Sequence, residues 1–136
     1  MYQTIILPID TNNTEAVPKM LEAAERLGGK GLKVILLNVI ETVPNYVSVH
    51  LPEDHDKTVR ASIMDSLNGF AESTALDTEI AIRSGHPSSE ILEAAEEMKA
   101  DAIVVASHRP GFEDVFLGST AARIVRRAKC SVLVIR

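Results

Sequence analysis

The chain contains a single cysteine, Cys130. No internal disulfide can form and no paired-thiol metal site can be built, so the fold must rest on an apolar core, and 136 residues can enclose one continuous core as a single domain, 1–136. A reducing, cytoplasmic setting is expected. Tryptophan is absent and only two Tyr and three Phe are present, too few aromatic rings to build a base-stacking platform for single strands. Positive charge is in deficit, with 14 basic against 19 acidic residues and a formal net charge of −5, which argues against broad attachment to a nucleic-acid backbone. The stretch Arg123, Arg126, Arg127, Lys129 is the one place where basic residues gather. Long apolar runs are also missing, since no burst approaches the roughly 20 residues of a membrane span, and no membrane insertion is expected. The run Thr4-Ile5-Ile6-Leu7 has no basic flank and no small-residue cleavage site, so it reads as a strand and secretion is not expected.

The apolar residues that are present alternate between two periods. Thr4 to Ile9 is β-branched and ends in Pro8-Ile9-Asp10 before the turn-forming cluster Thr11-Asn12-Asn13-Thr14. Val17, Met20, Leu21, Ala24 and Leu27 then recur at helical spacing, with Pro18 tolerable in the first turn and Gly28-Gly29 closing the segment. Leu32 to Ile40 is nearly continuous, as in a central parallel strand covered on both faces. Residues 41–54 are irregular and longer than the usual connection. Val59, Ile63, Leu67 and Phe70 restore a helix, Thr78 to Arg83 a strand, and the turn Gly85-His86-Pro87-Ser88 leads into a helix carrying Ile91, Leu92, Ala95 and Met98. Ala102 to Ala106 is the next strand. A fourth helix carries Ala121, Ile124, Val125 and Ala128, and Val132 to Ile135 is the last strand. This order predicts an α/β fold: a doubly wound, five-stranded parallel sheet with right-handed crossovers and helices on both faces. Ligands of such sheets bind beyond the carboxyl ends of the strands where strand order reverses, so the loops after Ile9, Ile40 and Ala106 are the candidates.

The segment from Ala106-Ser107-His108-Arg109-Pro110-Gly111 to Leu117-Gly118-Ser119-Thr120 runs from a strand through a glycine-containing loop into a helix. A helix start offers free N–H donors and a positive dipole end, so Ser119 and Thr120 are placed to hold phosphate oxygens beside Gly118. His108 and Arg109 could add side-chain contacts. The same Gly-Ser-Thr is equally an ordinary N-cap. Asp10 could bond ribose hydroxyls or help hold a metal bound to a phosphate chain, or simply form an Asx-turn. The backbone at Val39 and Ile40 could meet a flat ring, or be core.

Signatures of chemistry are sparse. There is no Walker-type phosphate loop, no G-x-G-x-x-G, no nucleophile elbow and no HExxH. His50 and His55, with Glu53, Asp54 and Asp56, are weighed as a surface metal site and set aside, because polar loops carry such residues by composition alone. His86 reads as a capping or packing residue and Cys130 as a buried structural thiol.

Taken together, Ile6-Leu7-Pro8-Ile9-Asp10, the Gly85-His86-Pro87 turn, Asp101-Ala102-Ile103-Val104-Val105, Leu117-Gly118-Ser119-Thr120-Ala121-Ala122 and Cys130-Ser131-Val132-Leu133-Val134-Ile135 make the whole chain resemble the universal stress protein family, and 106–110 look especially like its UspF and UspG branch. The resemblance implies a Rossmann-like, adenine nucleotide alpha hydrolase-like fold that binds ATP, or ADP or AMP, with Mg2+ on the phosphates near Asp10. It places adenine contacts on Pro8, Ile9 and Val39 and phosphate contacts on Ser107, His108, Arg109, Gly118, Ser119 and Thr120. It further implies a homodimer through Val132, Leu133, Val134 and Ile135, an edge suited to such pairing, and a regulatory role toward another protein in the stress response. At most slow ATP hydrolysis or autophosphorylation, on Ser119 or Thr120, is expected. Nucleotide-binding members show G-x-x-G before the Gly-Ser/Thr, and here Ala106 and Arg109 replace that pair, so a dimeric scaffold without nucleotide is the alternative.

Overall fold

The computed structural model describes residues 1–42, 55–107 and 117–136. Its elements follow the order β1 (Tyr2–Pro8), α1 (Val17–Leu27), β2 (Gly28–Ile40), α2 (His55–Glu72), β3 (Asp77–Ser84), α3 (Pro87–Glu97), β4 (Ala102–Ala106), α4 (Ser119–Arg127) and β5 (Ser131–Ile135). The strands form one sheet in the order β3-β2-β1-β4-β5, and every neighbouring pair is parallel. Rossmann-like α/β architecture is therefore the fold, as the alternating periods predict.

Helices cover both faces because the central strands are apolar on both. On one face, Ile5, Leu7, Val34 and Leu36 pack against Val17, Met20 and Ala24 of α1 and Ile63 and Leu67 of α2. On the other, Ile6, Ile35, Leu37 and Ile103 meet Ile91 and Ala95 of α3 and Ala121 and Ile124 of α4. Period-two alternation thus assigns each strand residue to one of two separate cores. Among the described residues, no helix is long and apolar enough to cross a membrane.

Two local expectations are corrected. The second strand begins at Gly28 rather than Leu32, because Tyr2 already pairs with Gly28 and the register then shifts to Thr4 opposite Lys33. Gly31 sits inside that irregularity with φ +83°, a conformation that glycine adopts without steric cost. Val125, expected on the apolar face of the last helix, is 48% exposed; the helix rests on Ala121 and Ile124 alone, so its buried stripe is one residue narrower than the spacing suggests.

Asp101 ties the start of the sheet together. Its carboxylate accepts the Gln3 N–H at 2.9 Å and the Thr4 N–H at 2.9 Å, while its own N–H donates to the Thr4 carbonyl. The Gln3 bond first, helped by that of Thr4, holds the carboxyl below its ordinary value. A carboxylate with a depressed folded pKa contributes stability above its unfolded pKa and loses it as pH falls through the folded value. Asp101→Asn is expected to cost about 1–2 kcal/mol at pH 7, and the gap to the parent should narrow below about pH 4; urea melts across that range check both.

Candidate functional site

Strand order reverses between β1 and β4, the two strands that flank the point where successive crossovers turn to opposite faces. Beyond their carboxyl ends lies a crevice of about 850 Å³. Its walls include Pro8, Ile9 and Asp10 after β1, Val39 at the end of β2, Ala106 and Ser107 after β4, and Gly118, Ser119 and Thr120 at the start of α4. The structure brings these residues, distant in sequence, to one place. His108 and Arg109 lie outside the described residues, as does His50.

The floor is polar at one point. Asn38 is the one buried polar residue of β2, at 6% exposure. Its Nδ2 donates to the Ile9 carbonyl at 2.8 Å, and its Oδ1 has no hydrogen-bond partner among the described residues. The amide thus pins the turn after β1, together with the Ile9 N–H bond to the Leu37 carbonyl at 2.8 Å. That second bond fixes the direction of the next groups. The Leu37 carbonyl faces β1, and two residues on, the Val39 N–H and carbonyl point to the same side, where β1 supplies no register partner past Pro8 opposite Leu37. A donor and an acceptor on one strand edge therefore face the crevice.

Asp10 is exposed, and its side chain serves its own loop: the carboxylate accepts the Asn12 N–H at 2.9 Å and the Asn13 Nδ2 at 3.1 Å. This is the Asx-turn, and it also presents the carboxylate at the crevice wall.

The opposite wall is the entry to α4. Gly118 occupies the N-cap with no side-chain cap, and the first backbone bond of the helix runs from the Ala122 N–H to the Gly118 carbonyl at 2.8 Å. The N–H groups of Ser119, Thr120 and Ala121 precede that bond and have no helical carbonyl to meet. Gly118 donates its own N–H to the Ser107 carbonyl at 2.6 Å, and a Cβ on Gly118 would stand 3.0 Å from that oxygen. Ser107 is itself buried, at 2% exposure, with its N–H bonded to the Ile135 carbonyl at 2.8 Å. The loop ends are thereby clamped to the sheet from both sides.

Residue by residue, Pro8, Ile9, Asp10, Val39, Ala106, Ser107, Gly118, Ser119 and Thr120 all line this one crevice. Unforeseen contributors are Asn38 and the apolar pair Val59 and Ile63 of α2; the interruption of Leu32 to Ile40 by one amide was the available signal for the first. His86 occupies the N-cap of α3 without capping it, its Nδ1 lying 3.2 Å from Ser88 Oγ. His55 belongs to α2 rather than to a loop, and the described residues hold no group of three His, Cys, Asp or Glu that could hold a metal. Cys130 is half-buried, and burial pushes its thiol up.

The universal stress protein family model matches residues 1–136. The chain belongs to the universal stress protein family. It is 29% identical over 145 residues to universal stress protein G of Salmonella typhimurium, with the whole of both chains covered. Among solved structures, it is similar to a universal stress protein in complex with cAMP, with TM-score 0.70, 22% identity and 99% and 97% of the two chains covered. It is also similar to the universal stress protein of Archaeoglobus fulgidus in complex with dAMP, with TM-score 0.67, 18% identity and 99% and 98% covered. Both share the fold of this universal stress protein chain.

Proposed function

We propose that this universal stress protein binds an adenine nucleotide, ATP or its di- or monophosphate, in the crevice at the switch point and acts as a nucleotide-dependent regulatory module. The observation that carries the reading is the pairing of two walls across about 850 Å³: a backbone donor and acceptor at Val39 on one side, and uncapped helix N–H groups at Ser119, Thr120 and Ala121 on the other. Relatives of the same fold hold cAMP and dAMP, which supports an adenine ligand. The Watson–Crick edge of adenine offers an acceptor, N1, beside a donor, the 6-amino group, which complements the Val39 N–H and carbonyl. Guanine offers the reverse order. Anionic phosphate is favoured at the α4 N-terminus by the dipole and free donors, with Ser107 beside it and Asp10 toward the ribose. Asp10 stands on the crevice wall, where Glu15 and Glu41 also lie, and its carboxylate with phosphate oxygens would suit Mg2+; when bound, the ion would neutralise phosphate charge there.

Calorimetric titration tests the reading. AMP is expected to bind tighter than about 1 mM, or roughly −4 kcal/mol. GMP should bind at least about tenfold more weakly, because a mismatched donor and acceptor are left unpaired. Absence of heat with AMP and ATP would sink it.

Dimerisation through Val132 to Ile135 belongs to the same proposal. β5 is an edge strand paired with β4 alone, and Leu133 is 37% exposed on it, an edge that a second copy could extend. Sedimentation at micromolar concentration would show a dimer, and Leu133→Lys should shift it to monomer. Ala106, in place of a family glycine, is paired within the sheet opposite Ile135 and lines the crevice.

A further inference from the structure

A second groove, of about 660 Å³, lies between the start of α3 and the outer face of α4. It shares Glu41, Pro87, Ser119 and Thr120 with the crevice, so the two spaces adjoin. Arg123 and Arg126 line it, and their three-residue spacing puts both on one side of the helix. The sequence of α4, STAARIVRR, contains three arginines and no acid, in a chain whose net charge is −5.

Four cations elsewhere, Arg26, Lys33, Arg83 and Lys129, are committed to carboxylates. Arg83 bonds Glu90 and Glu97 at 3.1 and 3.0 Å, and Lys129 bonds Glu96 at 2.7 Å. Arg123 and Arg126, in contrast, have no carboxylate within ion-pair distance among the described residues. Glu41 on the opposite rim is the lone acid of the described lining. His86 stands at the near end. Like charges three residues apart repel unless an anion lies between them, and paired guanidinium forks suit the oxygens of phosphate.

We infer that this groove is a second anion subsite, which takes the distal phosphates of a nucleotide whose base and first phosphate occupy the crevice. Arg123 and Arg126 are then specificity-determining residues that favour the triphosphate over the monophosphate. The inference rests on the crevice reading for its nucleotide, but the groove's affinity for a phosphate chain does not.

The test is calorimetric titration of AMP, ATP and inorganic tripolyphosphate into the parent, an R123Q/R126Q variant and an R127Q control, whose position lies outside the groove lining. In R123Q/R126Q, ATP and tripolyphosphate are expected to weaken about tenfold or more, the scale of a lost charged hydrogen bond, while AMP stays within about twofold and R127Q binds all three like the parent. Equal weakening in R127Q would show general charge rather than a subsite and overturn the inference. So would unchanged ATP and tripolyphosphate binding in R123Q/R126Q, or no tripolyphosphate binding by the parent. If AMP fails to bind but tripolyphosphate binds and is lost in R123Q/R126Q, the groove stands and the crevice reading falls.

Discussion

Gly118→Val is expected to abolish any rise in melting temperature with adenine nucleotide and to destabilise the free protein by about 1–3 kcal/mol, the range of an overpacked site. The reason is distance rather than conformation. Gly118 has φ −57° and ψ 153°, values open to every residue, but its hydrogen position points at the Ser107 carbonyl. A Cβ there would meet that oxygen at 3.0 Å and strain the 2.6 Å bond between the same two residues. Ser107 cannot yield freely, because it is buried and its N–H is tied to Ile135. The turn must then move outward, carrying the first N–H groups of α4 away from the crevice. Gly118→Ala should show the same effects at smaller size. In the parent, nucleotide at a hundred times its dissociation constant should add about 2.7 kcal/mol, or roughly 10 °C for a domain of this length. A Gly118→Val protein that melts like the parent and still responds to nucleotide would detach this turn from the ligand.

The second large effect is expected at Leu67. Although α2 spans 18 residues, only Ile63 and Leu67 are buried along it, with Val59, Phe70 and Ala71 partly covered. Leu67 is fully buried and is therefore the main attachment of the helix to the sheet. Leu67→Ala should cost about 3–4 kcal/mol through lost transfer energy and a residual cavity. Met64, 40% exposed on the same helix, provides the contrast: Met64→Ala should stay within about 0.5 kcal/mol. Urea denaturation separates the two, with a lower midpoint for Leu67→Ala at unchanged slope. Because Val59 and Ile63 line the crevice, loosening α2 should also weaken nucleotide binding.

The sheet and its helices were legible because each strand is marked by a β-branched burst and each helix by three- and four-residue spacing. Strand boundaries were less so: the pairing of Tyr2 with Gly28 depends on a contact between residues far apart in the chain, and no local pattern encodes it. Val125 misled because helical spacing does not say how wide a stripe the neighbouring strand will cover. At the site, Asp10, Ser107 and Gly118 could be placed by their loops, yet the reason glycine is required at 118 emerges only when Ser107 is set beside it. Asn38 was visible as the one amide in an apolar run, and its role in pinning Ile9 follows from register. Arg123 and Arg126 were noticed as a basic stretch, but their relation to the crevice depends on the packing of α4 beside α3.

The central claim, that adenine nucleotide occupies the switch-point crevice, is tested most directly by following the backbone amide resonances of the labelled protein during titration with AMP. The account predicts the largest shifts at Val39, Asp10, Ser119, Thr120 and Ala121, with the outer strand β3 nearly still. Shifts confined to other surfaces, or none at millimolar AMP, would contradict it.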